Sequence, residues 1–89
     1  MEIKFKESVQ DDFDYFSHSG NNKIQKKIVS LLDAIKENPY EGIGKPELLK
    51  YDLSGRWSRR INSEHRIIYQ INEEQQEVTI LSIRGHYEK

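Results

Sequence analysis

The period of the apolar residues changes once along this chain, and that change limits what it can become. Up to Ile35 the apolar positions recur at helical spacing. Val9, Phe13 and Phe16 follow i, i+4, i+7, and Ile24, Ile28, Leu31, Leu32 and Ile35 form a second, longer stripe. From Trp57 onward the pattern turns to alternation, with strand candidates at Trp57–Ile61, Arg66–Ile71 and Glu77–Arg84. A short apolar stretch at Ile3–Phe5 adds a candidate strand before the helices. The order β-α-α-β-β-β with short links predicts neighbouring strands paired as an antiparallel meander. Two helices must then bury their stripes on one face of that sheet, in a two-layer α+β sandwich.

Local signals place the boundaries. Ser8 stands where it can cap the first helix, with Asp11 and Asp12 in the first turn. SGNN at 19–22 breaks that helix and Asn22 can cap the second, which ends before Asn38–Pro39. PELLK at 46–50 reads as one helical turn with Pro46 at its first position. INEEQQE at 71–77 is the polar turn between the last two strands. No repeat or Gly/Ser/Pro linker interrupts the chain, so its 89 residues form one domain, 1–89, with a modest core. There is no cysteine, so that core holds by packing alone. The first residues lack an apolar leader and no apolar run approaches the ~18 residues of a membrane span, which leads to the expectation of a cytoplasmic protein.

Net charge is −1 overall but uneven: −2 over residues 1–41, +3 over 42–72 and −2 over 73–89. Arg56, Arg59, Arg60 and Arg66 crowd into SGRWSRRINSEHRIIYQI, residues 54–71. A basic ribbon on a sheet is either a solvated face or a phosphate-binding surface, and charge alone does not choose. On the middle strand Ile67, Tyr69 and Ile71 share one face and Arg66, Ile68 and Gln70 the other. Arg60 lies with Ser58, opposite Trp57 and Ile61; an odd-length connection or a bulge at NSEH is needed to put Arg60 and Arg66 on the same face.

If that face takes a phosphodiester, cleaving RNA requires a base for the 2′-OH, an acid for the departing 5′-oxygen, and cations for the phosphorane. Glu47, between lysines in GKPELLK, is a candidate base and His86, in RGHYEK, a candidate acid. Arg60 and Arg66 offer fixed forks for phosphate, while Tyr87 and Trp57 can stack on bases. Each has a plainer alternative: Glu47 pairing with Lys50, His86 solvated near a terminus, and His65 capping a strand end or packing. His18, His65 and His86 show no metal-ligand spacing, no nucleophile-elbow motif is present, and GIGKP lacks the setting of a P-loop.

Four stretches taken together narrow the choice. EGIGKPELLK (41–50), LSGRWSRRI (53–61), EHRIIY (64–69) and the closing HY (86–87) resemble the YoeB/Txe toxins, a branch of the RelE superfamily of bacterial type II toxin–antitoxin toxins. The resemblance runs nearly end to end. It implies a RelE-like microbial RNase fold and an mRNA endoribonuclease acting in the ribosomal A site, which inhibits translation. It further implies a YefM/Axe-type antitoxin, the ribosome and A-site mRNA as partners, self-association into dimers, and no metal or other cofactor. Carried over by motif, Glu47 is the general base, Arg66 stabilises the transition state and His86 is the general acid. Lys50, Arg60 and Tyr87 position or neutralise the phosphate. Two rivals remain: a non-catalytic toxin of the ParE kind with the same fold, and a nucleic-acid-binding regulator.

Overall fold

The change of period becomes a change of layer. The computed structural model describes residues 1–50 and 55–85, and runs β1 (Glu2–Phe5), α1 (Val9–His18), α2 (Asn22–Glu37), β2 (Glu47–Leu48), β3 (Arg56–Arg60), β4 (Arg66–Asn72) and β5 (Glu77–Ser82). The strands form one sheet in the order β1-β5-β4-β3-β2. β3, β4 and β5 are the expected antiparallel meander, and β2 adds to it antiparallel against β3. β1 lies parallel to β5 at the opposite edge, so the sheet is mixed at that one pairing. The chain leaves β1, passes through both helices and returns to the far edge. No helix of the described residues is long and apolar enough to cross a membrane.

Both helical stripes meet the inward side of the sheet. Val9 and Phe16 of α1 and Ile28, Leu31 and Ile35 of α2 are buried with Ile67, Tyr69, Val78 and Ile80. Each such side chain contributes on the order of 1.5–3 kcal/mol by leaving water, which is what holds a cysteine-free domain together. Phe13, Ile24, Leu32 and Ile71 pack around that centre, half-buried.

Three boundary expectations are corrected. Ser8 occupies the N-cap of α1 in helical geometry, and its side chain makes no capping bond. Asp12 is drawn elsewhere, its carboxylate accepting from Ile83 N–H at 2.9 Å. α2 is capped by Asn21 rather than Asn22: Asn21 Oδ1 accepts from Ile24 N–H at 3.1 Å, three residues on, where a cap side chain reaches best. Finally, Glu47–Leu48 is extended, not a helical turn. Gly44 and Lys45 both take positive φ, 85° and 51°, which turns the chain so that Glu47 and Leu48 line up with Ser58 and Trp57. Pro46 suits an extended entry as well as a helix start, and the open edge of β3 supplies the partner that local propensity could not reveal.

Candidate active site

The site is built by register. Arg60 and Arg66 are direct cross-strand partners, and Glu47 pairs with Ser58, which pairs with Ile68. Direct partners share a face, so Glu47, Ser58, Arg60 and Arg66 all lie on the side away from the helices. The required odd-length connection exists: five residues, 61–65, join β3 to β4. Asn62 Oδ1 accepts from the N–H groups of Glu64 and His65, each at 2.8 Å, and Ile61 N–H donates to His65 C=O at 3.0 Å.

On that face a carboxylate meets a guanidinium. Arg66 lies 3.9 Å from Glu47 Oε2, its side chain about one-fifth exposed and that of Glu47 more than half exposed. The gap is long for a stabilising ion pair in water and adds little to the fold. Arg60, the cross-strand partner of Arg66, is exposed; Lys50, two residues beyond β2, is exposed as well. Two arginines directly opposite one another repel, and a shared anion between them reverses the sign of that interaction. Ser58 Oγ, in the row between Glu47 and Ile68, is buried with no hydrogen-bond partner among the described residues.

Arg59 does not belong to this surface. Counting arginines along 54–71 groups it with Arg60, yet alternation turns it to the helix side with Trp57, where it is fully buried. Its Nε donates to Tyr69 OH at 3.1 Å, and its two amino groups donate to the carbonyls of Ile43, Asn38 and Glu41. Tyr69 OH in turn donates to Pro39 C=O at 2.7 Å. Carbonyl dipoles thus solvate a charge that has left water, and the guanidinium staples residues 38–43 to the sheet. Burial holds the Tyr69 phenol above its ordinary value of 10.0, while its hydrogen bond and charge contact with Arg59 work the other way.

That staple positions β2. The next residue, Gly44, accepts from Arg60 N–H at 2.6 Å, and a Cβ there would stand 2.6 Å from Leu31 and 3.2 Å from Arg59 Cβ. Only glycine allows the loop to pass so close with φ at +85° and still deliver Glu47 onto the open face. Arg59 was legible in principle, since strict alternation places it among apolar residues. Trp57 is corrected on the same ground: it packs edge-on to Tyr40 on the helix side, ring centroids 5.6 Å apart, and does not offer itself to bases on the open face.

The far end of the site is reached from β5. Arg66 N–H donates to Gly85 C=O at 3.0 Å, so the chain immediately before His86 runs beside the start of β4. His86 and Tyr87 themselves lie outside the described residues. Among the described residues no three His, Asp or Glu side chains gather in a way that could hold a metal ion.

Two helices on one side of a five-stranded sheet, with Glu47, Arg60 and Arg66 on the other, form an architecture shared with solved structures of bacterial toxins. The profile of the YoeB-like toxins of bacterial type II toxin–antitoxin systems matches residues 5–87. Toxin YoeB of Synechocystis sp. is 46% identical over 89 residues, the full length of both chains. The YoeB/ParE toxin of Agrobacterium tumefaciens is 36% identical with a TM-score of 0.88, over 98% of this chain and 100% of that one. YoeB in the YoeB–YefM complex of Staphylococcus aureus is 43% identical, TM-score 0.80, over 98% of each chain; the YoeB dimer from that species scores 0.80 at 42% identity, with the same coverage. The chain belongs to the YoeB-like toxins of bacterial type II toxin–antitoxin systems.

Proposed function

We propose that this toxin is a ribosome-dependent endoribonuclease that cleaves mRNA in the A site by acid–base catalysis without a metal ion. The observation that carries the reading is the meeting of Glu47 and Arg66, 3.9 Å apart, on the face that Arg60 also occupies. A surface built only to bind phosphate gains nothing from a carboxylate in its midst. A surface that must remove a proton from a 2′-OH needs one.

In this mechanism Glu47 takes the 2′-OH proton, and the 2′-oxygen attacks phosphorus. Charge accumulates on the equatorial oxygens of the phosphorane, where Arg66 and Arg60 supply fixed N–H donors and Lys50 a mobile charge. His86 gives a proton to the 5′-oxygen as that bond breaks, and Tyr87 helps to hold the phosphate. The products are a 2′,3′-cyclic phosphate, or its opened 3′-phosphate, and a 5′-OH. The small acid–base set explains the ribosome's part: positioning of reactants is worth about 7–11 kcal/mol, and a shallow open site borrows it.

The complex of the S. aureus relative with YefM supports a YefM/Axe-type antitoxin as partner here, and its dimer supports self-association. An acidic and apolar antitoxin segment would neutralise the Arg60–Arg66 face in a resting cell.

Mapping mRNA ends after adding the purified protein to a translation extract tests the activity. Cuts within A-site codons, absent on the same RNA without ribosomes and absent with Glu47→Gln, are expected. Equal cleavage of free RNA removes the ribosome from the account. Intact mRNA together with blocked gyrase supercoiling would establish the non-catalytic rival instead.

A further inference from the structure

After β5 the chain is tied down residue by residue. Ile83 N–H donates to Asp12, and the Arg84 guanidinium lies 3.7 Å above the Tyr15 ring. Gly85 is held on both sides: its N–H donates to His65 Nδ1 at 2.8 Å, and its C=O accepts from Arg66 N–H at 3.0 Å. Gly85 sits at φ +83°, and a Cβ built on it would meet nothing within 4 Å among the described residues. Packing among the described residues therefore does not fix this glycine, the most permissive residue type in the chain. The two hydrogen bonds do.

The histidine is committed to its bond. A backbone N–H can only donate, so Nδ1 must present its lone pair, and the neutral ring carries its proton on Nε2. Nε2 lies 3.4 Å from the Glu64 carboxylate, an acceptor suited to that proton. The residue is 6% exposed, with its ring edge-on to Phe16 and Tyr15 at centroid distances of 5.1 and 6.2 Å. Its own N–H is held by Asn62. An apolar ring would fill the same space beside Phe16 without needing a partner for two nitrogens, and it could not receive the Gly85 N–H.

We propose that His65 is a positioning residue for cleavage: by taking the Gly85 N–H on Nδ1, it sets the direction in which the chain enters residue 86. The proposal rests on the reading of His86 as the general acid. It makes one tripeptide, Glu64–His65–Arg66, responsible for both ends of the chemistry, since Arg66 supplies the cation and also the second bond to Gly85. Proton transfer to a leaving oxygen tolerates little error in distance or angle, so a loosened entry to residue 86 slows the chemical step and leaves ribosome binding alone.

The test compares His65→Leu, which keeps volume and removes the acceptor, with His65→Asn, whose Oδ1 falls close to where Nδ1 stood. Single-turnover cleavage of mRNA on programmed ribosomes should fall ~10²-fold in His65→Leu with KM little changed, the cost typical of a small misplacement. The Gly85 amide, followed by hydrogen exchange, should lose protection in the same variant, and His65→Asn should recover most of both. In a His86→Ala background His65→Leu should add almost nothing, because the group it aims is gone.

Parental cleavage by His65→Leu, or an Asn variant no better than Leu, overturns the positioning role while the acid assignment stands. Parental cleavage by His86→Ala overturns the acid assignment and the proposal with it. One measurement needs no variant: the ¹⁵N shifts of His65 in the parent protein must report the Nε2–H tautomer, and a proton on Nδ1 contradicts the proposal outright.

Discussion

On the helix side of β3, Arg59 is sealed from water, and its guanidinium donates to three backbone carbonyls and a phenol. One residue later, on the side away from the helices, Arg60 is exposed and faces another arginine. The first charge is fully solvated by dipoles that cannot leave, so it fixes the loop that delivers Glu47. The second is open to water, beside an arginine that already meets the Glu47 carboxylate. Under the proposed mechanism, adjacent residues of one type divide the work, with stability on one face of the strand and chemistry on the other. The difference comes only from the two-residue period of the strand.

Removing Arg59 should break the protein before it breaks catalysis. Arg59→Ala leaves the carbonyls of Asn38, Glu41 and Ile43 without their donors and opens a cavity, so it should cost about 4 kcal/mol or more in denaturant unfolding. Arg59→Lys should recover only part, since one ammonium cannot span the same acceptors. An Arg59→Ala protein that unfolds like the parent and only loses cleavage would abolish the division between the faces.

Tyr69→Phe sharpens the same side. It orphans Pro39 C=O and one Arg59 donor and should cost about 1–3 kcal/mol. It also has a pH signature. Because the folded phenol is held above 10.0, its contribution is fully present below pH 10 and is lost as pH rises through the raised value. Melting temperature in the parent should therefore fall above pH 10 more steeply than in Tyr69→Phe. A parent that gains stability there would mean that Arg59 holds a phenolate, reversing the sign.

Across the strand the expectation inverts. Arg60→Ala should leave unfolding within about 0.5 kcal/mol of the parent, as surface changes do. Cleavage should fall about 10–100-fold through the lost contact to phosphate. A large loss of stability would place Arg60 in the scaffold with Arg59. The smallest effect belongs to Ser58→Ala, which removes a buried hydroxyl without a partner among the described residues. It should raise stability by up to about 1 kcal/mol and leave cleavage unchanged; a cleavage defect would add Ser58 to the site.

How much of this was legible in the residues follows from the range of the forces involved. The apolar stripes of α1 and α2 and the alternation of β3 to β5 are local patterns with strong periods, and they became the elements they resemble. β2 escaped because two residues carry no period, and only the waiting edge of β3 makes Glu47–Leu48 a strand. The parallel pairing of β1 with β5 is likewise set by distant chain. Glu47, Arg60 and Arg66 were found by motif, and register brought them to one face. Arg59 shares the arginine-rich stretch with them and Trp57 has the aromatic character for stacking, although alternation assigns both to the core side. The bond from Gly85 to His65 joins residues twenty apart, and no local signal announces it.

The division of labour is tested most directly by measuring single-turnover cleavage on programmed ribosomes and thermal unfolding on the same preparations of Glu47→Ala, Arg66→Ala and Arg66→Lys. The account predicts a fall of ~10²–10⁴-fold in the chemical step for both alanine variants, with melting temperatures near the parent's. Lysine at 66 should restore part of the rate, keeping the charge and losing the fork. Cleavage that declines only in step with stability, or that continues at the parental rate without Glu47, would contradict it.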